Sequence, residues 1–167
     1  NQYTVLTNVY DNLKATQNGL IPTDRCSFVG CFVNLDYTRK LGLPIKEFFI
    51  YGDDTEYTLR LSKEKAAYMC SGSIIVHKMA TNVRLGVAEA QKERIERYWY
   101  EYRNRIYIYR KHNQISWGKI LFKYAKECAK VIIRSKDSKR ERLAVIIKGF
   151  LAGMVFHPSI EKVKGLG

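Results

Sequence analysis

Past Arg84 the apolar residues recur at steps of three and four, and no other property of the chain narrows its fold as much. Residues 89–112 carry Ile95, Tyr98 or Trp99, Tyr102, Ile106 and Tyr109 with Arg, Lys and Glu between them. Residues 117–134 repeat the pattern with Ile120, Leu121, Tyr124, Cys128, Val131 and Ile132, and Leu143 to Phe156 offer a third segment that His157-Pro158 ends. Side chains at those spacings share one face of a helix, so the second half reads as amphipathic helices.

The first half is different. Cys26 to Val33 is a short apolar run interrupted by Gly30, and it reads as a buried strand that something approaches closely. Asn34 or Asp36 is placed to cap a short helix that Gly42 and Pro44 stop. Phe48 to Tyr51 is a second apolar run, after which Gly52 turns the chain so that Asp53 or Asp54 opens a helix. Tyr57, Leu59 and Leu61 also alternate like a strand, and periodicity alone leaves that choice open. Ala66 to Cys70 and Ser73 to Val76 read as two short strands about Gly72, the second ending at His77. The fold class expected is α/β, with residues 1–83 as one region and 84–167 as a basic helical one.

Charge divides at the same place. Residues 1–83 hold nine Lys and Arg against eight Asp and Glu, while residues 84–167 hold twenty against eight, so the second half carries +12 of the net +13. A polyanionic neighbour suits that half, either nucleic acid or an anionic membrane surface. No segment suits a membrane span, which takes about 20 mostly apolar residues. Ala144 to Phe156 is too short and is broken by Lys148. A basic amphipathic helix lying on anionic lipid is compatible with the pattern. The four cysteines lack metal-ligand spacing and read as reduced thiols in a cytoplasmic protein. A start at Asn1, without methionine, suggests a fragment or a processed chain.

Chemistry concentrates at Asp53, Asp54 and Glu56, three acids within four positions. Close carboxylates repel unless a cation, a donor or a shared proton offsets them, and a catalytic site uses the metal affinity or basicity that results. The plainer reading is a helix cap. His77 strengthens the first reading, because a strand-end imidazole can return to the acids across neighbouring elements.

Several separated motifs then fall in one order: Val29-Gly30-Cys31-Phe32-Val33-Asn34, Leu41-Gly42-Leu43-Pro44, Phe49-Ile50-Tyr51-Gly52-Asp53-Asp54-Thr55-Glu56-Tyr57, His77, and Tyr98-Trp99-Tyr100-Glu101-Tyr102-Arg103-Asn104-Arg105-Ile106-Tyr107. Together they resemble the second half of the catalytic domain of inverting family 2 glycosyltransferases, of the GT-A type, nearest to the rhamnosyl and galactofuranosyl transferases. The resemblance covers residues 26–110. It implies the second half of a GT-A-like mixed-sheet domain, followed by a basic helical segment, in a peripheral membrane enzyme of cell-wall or polysaccharide biosynthesis on the cytoplasmic face. It implies Asp54 as the general base, with Asp53 and Glu56 shaping its surroundings. A divalent cation, Mn or Mg, would neutralise the nucleotide diphosphate leaving group, with His77 joining the metal site and favouring Mn. Gly30, Cys31, Tyr51 and Trp99 fall on the acceptor side, and Arg103 and Arg105 near the donor diphosphate. The implied partners are a nucleotide-sugar donor, a glycan or lipid-linked acceptor and an anionic membrane surface, with no nucleic acid and with self-association left open. The family's Asp-x-Asp donor motif is absent from residues 1–47, so this segment by itself is expected to be inactive.

Two other classes compete. Tyr51-Gly52-Asp53-Asp54 spells the YGDD turn of RNA-dependent polymerases, but the residues before it offer no further metal-binding Asp in an apolar strand. A non-catalytic module whose basic, aromatic half binds RNA or membrane is the third reading; its mark would be steep salt dependence.

Overall fold

A computed structural model of the chain describes residues 19–78, 85–113 and 115–163. It is a mixed α/β structure in which helices dominate and the described residues form a small two-stranded sheet. Two compact units divide it. The first holds residues 19–46, 53–78 and 159–163, the second residues 47–52, 85–113 and 115–158. The division therefore does not fall at a single point along the chain.

In the first unit, β1 (Leu20–Thr23) pairs antiparallel with β2 (Ala67–Cys70), Leu20 opposite Cys70 and Thr23 opposite Ala67. Helix α1 (Leu35–Leu41) starts where the Asn34 side chain accepts a hydrogen bond from the Asp36 amide, and it stops at Gly42, whose φ of 90° favours glycine. Residues 159–163 return to this corner. A Cβ on Gly42 would come within 2.5 Å of Ile160 Cγ2, and the Leu43 amide donates to the Glu161 carbonyl at 2.8 Å. Helix α2 (Asp53–Ser62) carries its acids in the first turn, where they face the positive end of the helix dipole. Its inward side packs Tyr57 and Leu59, and the Tyr57 hydroxyl bonds Thr38 at 2.9 Å.

The second unit is built on α3 (Arg97–His112), α4 (Trp117–Arg134) and α5 (Lys139–Val155). Tyr98, Tyr102, Ile106, Ile120, Tyr124, Val131 and Ile146 form its apolar centre together with Val87, Ala88 and Ala90 of the turn before α3. Buried Arg142 holds that turn by donating to the carbonyls of Val87 and Ala90 at 2.5 and 2.9 Å. Residues 47–52 belong here too: a 3-10 turn (Lys46–Phe48) runs into the unit, and Phe48 is fully buried, its ring edge-on to Tyr107.

Several expectations are corrected. The buried strand expected over Cys26–Val33 is an irregular, largely exposed loop: Gly30 has φ 77°, the Cys31 amide turns back to the Phe28 carbonyl, and Phe32 is 95% exposed. Ser73–Val76 forms no strand either; the ladder of β2 ends at Cys70 and residues 71–78 are exposed. The helix expected from residue 89 starts at Arg97, because Val87 to Ala90 are held as a turn and Lys92–Arg94 as a 3-10 segment. No helix among the described residues is long and apolar enough to cross a membrane.

Candidate active site

The head of α2 gathers the acids. Asp53 and Asp54 are half-buried there, and the Oδ1 of Asp54 accepts from the Thr55 amide at 2.6 Å and, more weakly, from the Thr55 hydroxyl at 3.3 Å. Its Oδ2 meets no donor among the described residues. Asp53 carries a pKa above the ordinary carboxylate value, chiefly because burial penalises its charged form and also because Asp54 is close; backbone hydrogen bonds oppose the shift.

Glu56 is placed differently from its neighbours. It is fully buried, and Arg60 one turn later meets both its oxygens, with Nη2 3.0 Å from Oε2. The same guanidinium donates to the carbonyls of Leu41 and Leu43, at 2.7 and 3.0 Å. Glu56 thus fixes α2 to the end of α1 and is not presented to a ligand. A charge sealed at this depth is tolerable because it is paired and hydrogen-bonded.

Thr58 ties the loop at residues 26–31 to the same helix turn. Its hydroxyl lies 2.8 Å from the Asp54 carbonyl, and the Cys26 amide donates to it at 3.1 Å. Cys26 and Cys31 face each other, Sγ to Sγ 3.3 Å. Burial and the hydrogen bond to Cys31 push the Cys26 thiol up to about 12, and electrostatic repulsion from its neighbours Cys31 and Asp54 adds to the shift. Gly30 sits against Ile75, where a Cβ would come 2.6 Å from Cδ1. The segment carrying His77 is thus brought against the loop that Thr58 anchors to the Asp54 turn.

His77 itself is exposed in irregular chain and makes no hydrogen bond or ion pair with another described residue. No group of three or more His, Cys, Asp or Glu side chains converges among the described residues. Asp53 and Asp54 supply adjacent carboxylates of the hard-oxygen kind a divalent cation takes, but the described residues add no third ligand, so the expected union of His77 with them is not seen and no chemical step is assigned to an ion.

The remaining candidates lie in the second unit. Tyr51 has φ 66° and stacks on Tyr98, ring centres 5.9 Å apart. Arg103, expected at the donor diphosphate, is buried: its Nε donates to Asn104 Oδ1 at 2.9 Å, a terminal nitrogen donates to the Glu47 carbonyl, and the guanidinium lies over the rings of Trp99, Tyr100 and Phe156. Burial lowers its pKa, against the opposing influence of Tyr100 and Glu47, and the facing rings help offset the cost of burying the cation. Trp99 is half-buried and given over to Arg103. Arg105 pairs with Glu101 one turn earlier and covers Tyr102. These two arginines and Trp99 are therefore engaged in holding the unit together.

Thr58 and Asn104 are the positioning residues the sequence did not single out by role. Both are poor helix formers in helix interiors, which is the signal that their side chains bond elsewhere. Comparison of the chain with protein-family models, with curated proteins and with solved structures finds no match.

Proposed function

We propose that the chain is the acceptor-side half of an inverting glycosyltransferase of the GT-A type, with Asp54 as general base. The observation that carries the reading is the state of the Asp54 carboxylate, one oxygen fixed by Thr55 and the other without a donor among the described residues. A base that deprotonates a sugar hydroxyl needs that combination of a set orientation and an open lone pair. The Cys26–Cys31 loop, tied by Thr58 to the same helix turn, supports an acceptor binding there. When bound, a Mn or Mg ion would supply charge neutralisation at the leaving diphosphate; no step is drawn through it, and Asp54 keeps its open oxygen for the acceptor hydroxyl.

Phe28, Val29, Phe32, Ile74, Ile75 and Val76 are apolar and exposed on the first unit. A sheet and nucleotide-binding half completing the domain would cover such a surface, which supports reading the chain as part of a larger catalytic domain. The donor is then a nucleotide sugar and the acceptor a glycan or a lipid-linked saccharide.

The helical state of Asp53–Ser62 also bears on the polymerase alternative, because Tyr57 and Leu59 lie in α2 and not in a strand after the acidic turn. The test is turnover of a nucleotide-sugar panel, with Mn or Mg, by the protein that carries this chain, beside its Asp54→Asn variant. Loss of about 100-fold or more is expected, the range general bases contribute. Undiminished turnover in the variant removes Asp54 from the chemistry, and template-directed nucleotide incorporation in place of sugar transfer overturns the class.

A further inference from the structure

We propose that the outer face of α4 is a docking surface for an anionic lipid bilayer, and that the helix lies in the headgroup region with its axis along the membrane. Only part of its apolar arc is used inside the protein. Ile120, Tyr124 and Val131 are buried, whereas Trp117, Leu121, Phe122, Ile132 and Ile133 are exposed, Phe122 by 70% and Ile133 by 80%. At 100° per residue these five fall in one sector beside the buried one. Lys119, Lys123 and Lys126 follow at steps of four and three along the next sector, all exposed. Glu127, the single acid of α4, is paired with Lys130 at 2.7 Å. The exposed apolar sector is therefore edged by cations.

Each half of that arrangement matches one layer of a membrane surface. Aliphatic and aromatic side chains enter the acyl boundary to a depth of about 5–10 Å, and the lysines meet phosphate headgroups. Nucleic acid would satisfy the lysines and leave Leu121, Ile132 and Ile133 in water. A second copy of the chain would bring together two faces edged by Lys119, Lys123 and Lys126, within a half carrying +12, and like charges oppose that contact. Helix α5 adds a lesser stripe of the same kind, with Ile147, Leu151 and Val155 exposed at steps of four beside Lys148.

The inference deepens the membrane partner that the resemblance implies by naming the face that meets it, and its test contains no sugar donor, so its failure and that of the transferase reading are told apart. The whole chain is sedimented with phosphatidylcholine vesicles made with and without phosphatidylglycerol, at low and raised salt. In a Trp99→Phe background, quenching by brominated acyl chains then reports on Trp117 alone. Binding that requires phosphatidylglycerol, falls with salt and quenches Trp117 is expected. Phe122→Ser combined with Ile133→Ser should abolish the quenching, and Lys119→Gln and Lys126→Gln should each weaken partitioning about fivefold, as expected for a basic residue at an anionic surface. All four positions are exposed, and an unchanged far-ultraviolet dichroism spectrum confirms that each variant keeps its helices. Absence of vesicle binding overturns the proposal. So does equal binding to neutral vesicles, binding unaffected by the Phe122 and Ile133 replacements, or a dimer in solution that those replacements dissociate while vesicles are ignored.

Discussion

The side-chain amide of Asn104, buried in the middle of α3, holds the carbonyl oxygen of Tyr51 at 2.9 Å. The same nitrogen lies 3.0 Å from the carbonyls of Phe48 and Ile50, so two amide hydrogens serve three acceptors. The segment it grips is strained: Phe49 and Tyr51 have φ of 60° and 66°, a conformation that costs non-glycine residues about 1–3 kcal/mol each. Asn104→Ala removes the donor these carbonyls share, while the Phe48 oxygen keeps the Ile50 amide, and should destabilise the second unit by about 2–3 kcal/mol, lowering Tm by about 4–10 °C. Asn104→Asp should be worse, because a carboxylate can only accept and would face three carbonyls. Urea denaturation of the three proteins decides the matter; an Asp variant as stable as the natural protein removes the latch.

Close approach of α5 to α3 depends on two glycines. A Cβ on Gly149 would stand 2.7 Å from Tyr102 Cβ and 2.9 Å from the Trp99 carbonyl, and one on Gly153 would stand 2.6 Å from the Arg103 carbonyl and from Ile106 Cβ. Alanine gains about 1 kcal/mol of helix propensity over glycine. Overpacking against backbone that cannot move costs more, so Gly153→Ala should lose a net ~1–3 kcal/mol. Gly118→Ala is the contrasting case, since nothing lies within 4 Å of its Cβ; it should be neutral or stabilising. Equal Tm values for the two variants would show that the helices separate without cost.

Local signals carried much of this fold and tertiary ones the rest. Asn34 capping α1, Gly42 ending it, acids opening α2 and the span of α4 are decided within a few residues and were legible as such. Cys26–Val33 has the composition of a strand but no partner strand among the described residues, and composition does not reveal pairing. Val87, Ala88 and Ala90 have apolar side chains that fit a helix, yet Arg142 and Ser135, far along the chain, hold this segment as a turn. In the candidate site, Asp54 stood out because acids after a glycine turn are locally unusual. The burial of Arg103, by contrast, depends on Glu47 and Phe156, which the sequence separates widely.

Asp53 should leave a trace in the pH dependence of stability. Its folded-state pKa is raised, first by burial and then by the charge of Asp54. The folded form therefore holds its proton more tightly than the unfolded form does. Stability from this group is fully present below the ordinary carboxylate pKa and is lost as pH rises through the higher folded value. Asp53→Asn should consequently be more stable than the natural protein at pH 7 and show no such advantage at pH 3. Asp54→Asn should shrink the difference by removing one of the causes. Denaturant midpoints for the three proteins across that range are the measurement, and a gain for Asp53→Asn that is larger at pH 3 than at pH 7 contradicts the assignment.

Cys26 should be the slowest thiol of the described chain to alkylate. With its pKa pushed up to about 12, firstly by burial, it stays protonated at pH 8, whereas the thiolate is the nucleophile. Cys70 is exposed at the end of β2 and open to reagent. Iodoacetamide followed by peptide mass mapping should label Cys70 early and Cys26 on the order of 100-fold more slowly than in the urea-unfolded chain, where its thiol returns to the ordinary range. Thr58→Val makes the test specific. It removes the hydroxyl that receives the Cys26 amide, loosens the loop from the Asp54 turn and should speed labelling of Cys26 while leaving Cys70 unchanged. If Cys26 reacts as fast in the natural protein as in that variant, Thr58 does not anchor the loop.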